Sequence, residues 1–261
     1  MAKSFTKKIV ISGYDELFGG TPDGKCDAYI QEVSVDKLKP FKDHPFKVRE
    51  DNEFNRLKES IRGNGVLVPI MVRPLKNGNY EIISGHRRKK AAEKVGLISI
   101  PAVVTDMDDD STVIAMVDSN MQRETILPSE KAFSYKMKHD ALKHQGKRSD
   151  LDGTSVPGEQ KLNAREQVAL DAGESPAQIR RYIRLTSLIT GLLDKIDSSQ
   201  IGLKQGVELS YLTTREQEEL LAVLGGDSLS LTQAKNIRNL SKEGKCTKDA
   251  ITIVLQVTSL L

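Results

Sequence analysis

YEIISGHRRKKAAEKVGL, residues 80–97, changes period halfway along. Tyr80 to Ile83 form a short apolar run of strand length, whereas Ala91, Ala92 and Val95 recur at helical spacing. The Ser84-Gly85 pair is the joint between the two periods. Directly after it stand Arg87, Arg88, Lys89 and Lys90, in the first turns of the expected helix. The N–H groups at a helix start attract anions, and the helix dipole disfavours cations there. Two readings fit this segment: a solvated basic surface, or a corner that holds a phosphate group.

Moving outward, VLVPIMVRP (66–74) reads as a buried strand. The NGN turn (77–79) returns it to YEIIS as a hairpin. Ahead of it, DNEFNRLKESIRGNG (51–65) predicts a helix capped by Asp51. Phe54, Leu57 and Ile61 share one face, and Gly63 and Gly65 stop it. KLKPFKDHPF (37–46) is a proline-punctuated loop, AYIQEVSV (28–35) a strand, and ISIPAVVT (98–105) another. Residues 1–27 contain GGTPDGK and predict a flexible arm. A small α/β domain is therefore expected over residues 28–125.

Beyond it the period is helical. DSTVIAMVDSNMQRE (110–124) sets Val113, Ile114 and Val117 on one side, and the next helix opens at Pro128. GKRSDLDGTSVPGEQKLN (146–163) is a polar loop. QVALDAGESPAQIRRYIRL (167–185) has the shape of a helix-turn-helix. Val168 and Leu170 are partly buried in its first helix, and Gly173 ends that helix in a left-handed conformation. Ser175 caps the second helix, Pro176 follows at the first helical position, and Gln178 completes a capping box. Ile179 and Ile183 face the core, and Arg180, Arg181 and Arg184 share the exposed arc. Such a helix suits the major groove of DNA, although a plain helical hairpin with a solvated basic face has the same pattern. The expected helical domain covers 126–225, and residues 226–261 form a short helical tail.

Bulk composition sets limits on function. The chain has 261 residues, 38% hydrophobic and 29% charged, with 5% aromatics, no Trp and a net charge of +3. Cys26 and Cys246 are isolated and read as reduced thiols, and His44, His86, His139 and His144 lack metal-ligand grouping, which argues against a metalloenzyme. No signal segment or membrane-length apolar run is visible, so a cytoplasmic protein is expected.

HPF (44–46), GVLVPIMVRP, SGHRRKKAAEKVG, IPAVV, NMQRETILPSEKAFSY and the helix-turn-helix, in that order, resemble the ParB family of chromosome and plasmid partition proteins, with its Noc and KorB relatives. The resemblance implies an α+β fold: a small α/β domain of the ParB and sulfiredoxin kind, then an all-helical domain with a helix-turn-helix. It implies a CTP-gated clamp on double-stranded DNA that recognises a palindromic site, self-associates as a homodimer and works with a ParA-type ATPase, at the nucleoid or a plasmid.

In that reading His44, Gly65, Val66, Ser84, Gly85, His86, Arg87, Arg88, Asn120, Gln122 and Arg123 surround CTP, with Asn120 as the residue offered to Mg2+. Ser175, Gln178, Arg180, Arg181, Tyr182 and Arg184 are directed at DNA. His86 and Ser119 stand where many members carry Glu, and the carboxylate missing at Ser119 argues against tight Mg2+ coordination. A position near His44 often carries Gln in members that hydrolyse CTP, so nucleotide binding with at most weak hydrolysis is expected. A repressor of the same architecture without nucleotide gating is the alternative. A small-molecule kinase on the same N-terminal fold is the enzymatic one, with Glu81 or Glu124 as its base. Sulfiredoxin chemistry is not expected, since neither cysteine stands beside the phosphate corner.

Overall fold

The structure, a computed structural model, describes residues 9–10, 29–42, 44–46, 48–123, 125–151, 162–225 and 227–257. GGTPDGK, Cys26, Glu124 and most of the polar loop lie outside the described residues. The chain divides into two compact units, Met1–Gln122 and Arg123–Leu261.

The first unit is a six-stranded mixed sheet with helices on its faces. In chain order the elements are β1 (Ile9–Val10), β2 (Tyr29–Ser34), β3 (Leu38–Pro40), α1 (Asn52–Asn64), β4 (Ile70–Pro74), β5 (Tyr80–Ser84), α2 (His86–Lys94), β6 (Ser99–Val104) and α3 (Asp109–Met121). The strand order is β1-β2-β6-β4-β5-β3. β4 and β5 make the expected antiparallel hairpin, and α2 returns the chain so that β6 runs parallel to β4, with Ile70 opposite Ala102. Alternate side chains separate the faces. Ile70, Val72, Ile82, Ile100, Ala102 and Val104 bury one face with Phe54 and Ile61 of α1 and Ala91 and Ala92 of α2. Met71, Ile83 and Val103 fall in the opposite phase and are also buried, and α3 packs against β5.

Three expectations change here. The segment 37–46 is not all loop, because β3 adds to the sheet edge parallel to β5. Strand β4 begins only at Ile70, and Leu67 and Val68 lie in a turn, exposed. On α3 the buried residues are Asp110, Thr112, Met116, Val117 and Asn120, so the packed stripe is rotated away from Val113 and Ile114. The short polar side chains of Thr112 and Asn120 hide it: both turn back on the helix, bonding Asp108 O and Met116 O.

The second unit is helical throughout its described residues: α4 (Pro128–Leu151), α5 (Ala164–Ala172), α6 (Pro176–Leu185), α7 (Thr190–Asp197), α8 (Leu203–Leu209), α9 (Thr214–Leu224), α10 (Leu231–Lys242) and α11 (Lys248–Val257). Helix α4 continues to Leu151, into the segment read as loop. Leu185, Leu192, Ile196, Leu209, Leu220, Ala234, Ile237 and Ile251 belong to one buried cluster. Residues 226–261, set apart above as a tail, thus contribute Leu229, Ala234, Ile237 and Ile251 to the same core as Leu185 of α6.

Two polar side chains hold this unit's loops. Ser129 at the start of α4 donates from N and Oγ to Asp197, at 2.9 and 2.5 Å. Gln217, 1% exposed, accepts from Ile189 N and donates to Ser187 O and Leu212 O. Removing its amide strands three backbone groups, each costly to bury unbonded. Gln217→Ala is expected to lower unfolding stability in urea by about 3 kcal/mol; a loss below about 1 kcal/mol would mean water replaces the amide.

Candidate functional sites

The corner between β5 and α2 is built around Gly85. Its φ of 104° lies where L side chains are strained. A Cβ there would meet Ile70 Cγ2 at 2.6 Å and Cβ at 2.9 Å. Glycine is needed for conformation and for space, and it lets α2 start against the beginning of β4. Helix α2 has no side-chain cap and no acidic residue in its first turn. The first-turn amides of a helix lack intrahelical acceptors, so this end is open to an anion from outside its own sequence.

The four cations after Gly85 do not stand free. Arg88 Nη1 donates to Val68 O at 2.7 Å and Pro69 O at 2.6 Å, and burial pushes its guanidinium pKa down. It therefore pins the Gly65–Pro69 turn. Arg87 Nη2 lies 2.8 Å from Asp51 Oδ1, the carboxylate that caps α1 by accepting from Phe54 N, with Glu53 at 3.7 Å. The Phe54 amide, with Arg87 beside it, lowers the Asp51 pKa. Lys89 pairs with Glu93 four residues on, and Lys90 and Lys94 converge on Glu50 at 3.0 and 2.9 Å. The two lysines, Lys94 first, hold the Glu50 carboxyl at about 2.

The rings of His44 and His86 meet at a tilt of 40°, with centroids 3.8 Å apart. Phe41 N donates to His86 Nε2, and His44 Nδ1 lies 2.8 Å from Phe46 O. The loop 41–46, the Gly65–Pro69 turn and the start of α2 thus come together, as the sequence placed them. Val66 is buried, Gly65 has φ 70°, and Ser84 ends β5. Asn120 is buried in α3 with its Nδ2 donating to Met116 O at 2.8 Å and to Ser119 Oγ at 3.4 Å, which leaves its oxygen for a ligand. Gln122 is the exposed C-cap of α3, and Arg123 is the first residue of the second unit. Among the described residues no three His, Cys, Asp or Glu side chains gather as a metal site, and one amide oxygen does not fit Mg2+ as a protein-held ion.

The helix-turn-helix forms as expected at its joint. Gly173 has φ 63°, and Ser175 Oγ accepts from Gln178 N at 3.2 Å ahead of Pro176. The capping box at Ser175 is not made, because Gln178 Oε1 accepts from Arg181 Nη1 instead. Leu170 is 68% exposed, and the buried pair in α5 is Val168 and Ala169. Buried Lys138 of α4 reaches Asp171 at 2.6 Å and fixes α5.

On α6, Ile179 and Leu185 are buried, while Ser175, Arg180 and Arg181 are exposed. Tyr182 packs on the core and meets Tyr135 edge-on at 5.5 Å, so it faces inward. Arg184 is half-buried, donating to Ser210 Oγ at 3.0 Å and Ser210 O at 2.7 Å. Sequence spacing placed Arg184 on the basic arc but gave no sign of Tyr211, whose ring lies 4.2 Å from its guanidinium.

Comparison with known proteins follows this division. Residues 23–121 match the ParB N-terminal domain family. A nucleoid occlusion protein of Listeria monocytogenes is 30% identical over 230 residues, covering 85% of this chain and 74% of its own. A pNOB8-like ParB N-domain structure has TM-score 0.50 and 17% identity, covering 89% of this chain and 95% of that one, and shares the fold. A C-terminally truncated Caulobacter crescentus chromosome-partitioning protein ParB, complexed with CTP-gamma-S, has TM-score 0.34 and 24% identity, covering 79% and 97%. Alignments to the Listeria relatives span 66% to 74% of their length.

Two outcomes are expected of the corner. Glu50, whose pKa falls from 4.5 to about 2, stabilises the fold fully above 4.5 and loses that effect as pH falls through about 2. Carboxyl NMR titration should find it ionised at pH 3.5, and a midpoint above 4 would break the lysine pairing. Arg88→Ala should cost about 1.5 kcal/mol, since it strands the part-buried Pro69 carbonyl while water reaches that of Val68. Arg87→Ala should cost less than about 1 kcal/mol, since its carboxylate partners are solvated. Denaturant unfolding of both variants separates the two roles.

Proposed function

Since the chain belongs to the ParB family, we propose that it is a site-specific DNA-binding partition protein whose N-terminal unit takes CTP and gates a clamp on DNA. The single observation that carries the DNA half is the capped helix α6, which presents Arg180 and Arg181 to solvent from a defined start at Ser175. Arg holds a guanine edge by two hydrogen bonds, and a fixed helix N-terminus sets its register in the groove. The palindromic site, the homodimer and a ParA-type partner ATPase belong to the same proposal.

For the nucleotide half, the support is the uncapped start of α2 behind Gly85. Its orphan amides donate to phosphate oxygens, and Arg87 adds a forked donor once it leaves Asp51. Arg88 acts one step back, holding the Gly65–Pro69 turn against the corner. His86, Asn120, Gln122 and Arg123 complete the proposed surround. Bound CTP supplies the negative charge that the first turn of α2 lacks.

One observation favours the alternative repressor without nucleotide gating: Arg87, Lys89, Lys90 and Lys94 are each paired with a carboxylate of the chain itself. Equilibrium binding of CTP, ATP, GTP and UTP, with magnesium and with chelator, separates the two. Selective CTP binding that drops at least about tenfold in Arg87→Ala, one charge-assisted bond, is expected. No nucleotide binding, with DNA binding intact, would leave the repressor.

A further inference from the structure

Helix α6 continues its basic face onto another element. At 3.6 residues per turn, Arg184 falls between Arg180 and Arg181 around the helix axis. Its guanidinium is turned sideways by Ser210, against the face of Tyr211. Arg238 of α10 also lies over that ring, 3.7 Å from its centroid, and is held there by Glu208 at 2.6 Å. Tyr211 is thus fixed by two guanidinium groups, yet it is 48% exposed, and no hydrogen bond joins its hydroxyl to another described residue.

The charges around this ring are unequal. The positive charge of Arg238 is offset by Glu208, whereas Arg184 bonds only neutral oxygens of Ser210 and makes no salt bridge among the described residues. An immobilised phenol donor therefore sits beside one uncompensated cation, at the edge of the face that carries Arg180 and Arg181. That pairing suits a singly charged phosphodiester better than a base edge, because phosphate oxygens accept from both donors without demanding a coplanar edge. A rigid ring also loses little rotamer freedom on contact.

We propose that Tyr211 and Arg184 form a phosphate-binding corner that seats the DNA backbone beside the recognition helix, with Arg238 as the residue that positions the ring. The proposal rests on the DNA-binding reading above and places a contact outside the helix-turn-helix. It predicts contribution to affinity without sequence preference.

The test uses the full chain and a 24-base-pair duplex of mixed sequence, titrated by fluorescence anisotropy at several KCl concentrations. Tyr211→Phe keeps the ring and its stack and removes only the hydroxyl. It is expected to weaken binding about tenfold, as for one charge-assisted hydrogen bond, with an unchanged melting temperature. Arg184→Gln should reduce the slope of log affinity against log salt by about 0.9, the value for one phosphate contact. Arg238→Ala should weaken binding in the same direction as Tyr211→Phe, and by less in a chain that already carries Tyr211→Phe. Arg180→Ala is the control for the underlying reading. If Arg180→Ala weakens binding while Tyr211→Phe and Arg184→Gln bind like the parent, the corner is wrong and the helix-turn-helix stands. If the parent chain itself does not bind the duplex at the lowest salt, the DNA-binding reading fails and the corner fails with it.

Discussion

The first unit depends on one backbone position. Gly85 takes a left-handed conformation in a space that Ile70 leaves no larger than a hydrogen. Because the chain turns there so tightly, α2 begins beside the start of β4. That adjacency brings Arg88 onto the carbonyls of Val68 and Pro69, and Arg87 onto the cap of α1. Ala91 and Ala92, the smallest residues able to bury, then allow α2 to lie close on the sheet. A charged helix start, a packed helix end and a pinned neighbouring turn all descend from one missing side chain.

The clustered charge at that corner is balanced within the unit. Acidic residues from the loop before α1, from α1 and from α2 meet the basic ones pairwise, mostly at solvated positions where each pair contributes little. Such pairs cost little to exchange. A multivalent anion competes for the same guanidinium on favourable terms, while Arg88, which bonds carbonyls, keeps its place. The arrangement separates a replaceable contact from a fixed one on adjacent residues.

Much of the fold was legible because its punctuation is local. Asp51, Gly65, Gly173 and Ser175 act through their own backbone neighbours, so their roles read directly from sequence, whereas the space that Ile70 denies to a side chain at Gly85 did not. The short edge strand Leu38–Pro40 was not legible, since a three-residue strand next to proline is defined only by its partner β5. Nor was the rotated face of α3, where Thr112 and Asn120 satisfy themselves on their own helix and so take positions that periodicity gives to apolar residues. The same limit applies at the candidate sites. Spacing grouped Arg180, Arg181 and Arg184 around α6, but Arg184's partners Ser210 and Tyr211 come from 26 and 27 residues away, beyond any helical period. The arginines after Gly85 were legible as charge and not as pairs, because Asp51 lies 36 residues earlier.

The shared core of the second unit carries a consequence for cooperativity. Leu185, at the end of the recognition helix, and Ile251, near the last described residues, belong to one buried cluster. Gly206 is wedged between Leu185 and Ile196, where a Cβ would lie 3.0 and 2.5 Å from their methyl groups. No seam separates α6 from the helices that follow it, so they are expected to melt in a single transition. Any molecule that grips α10 or α11 in the folded state therefore stabilises α6 by mass action, without touching it.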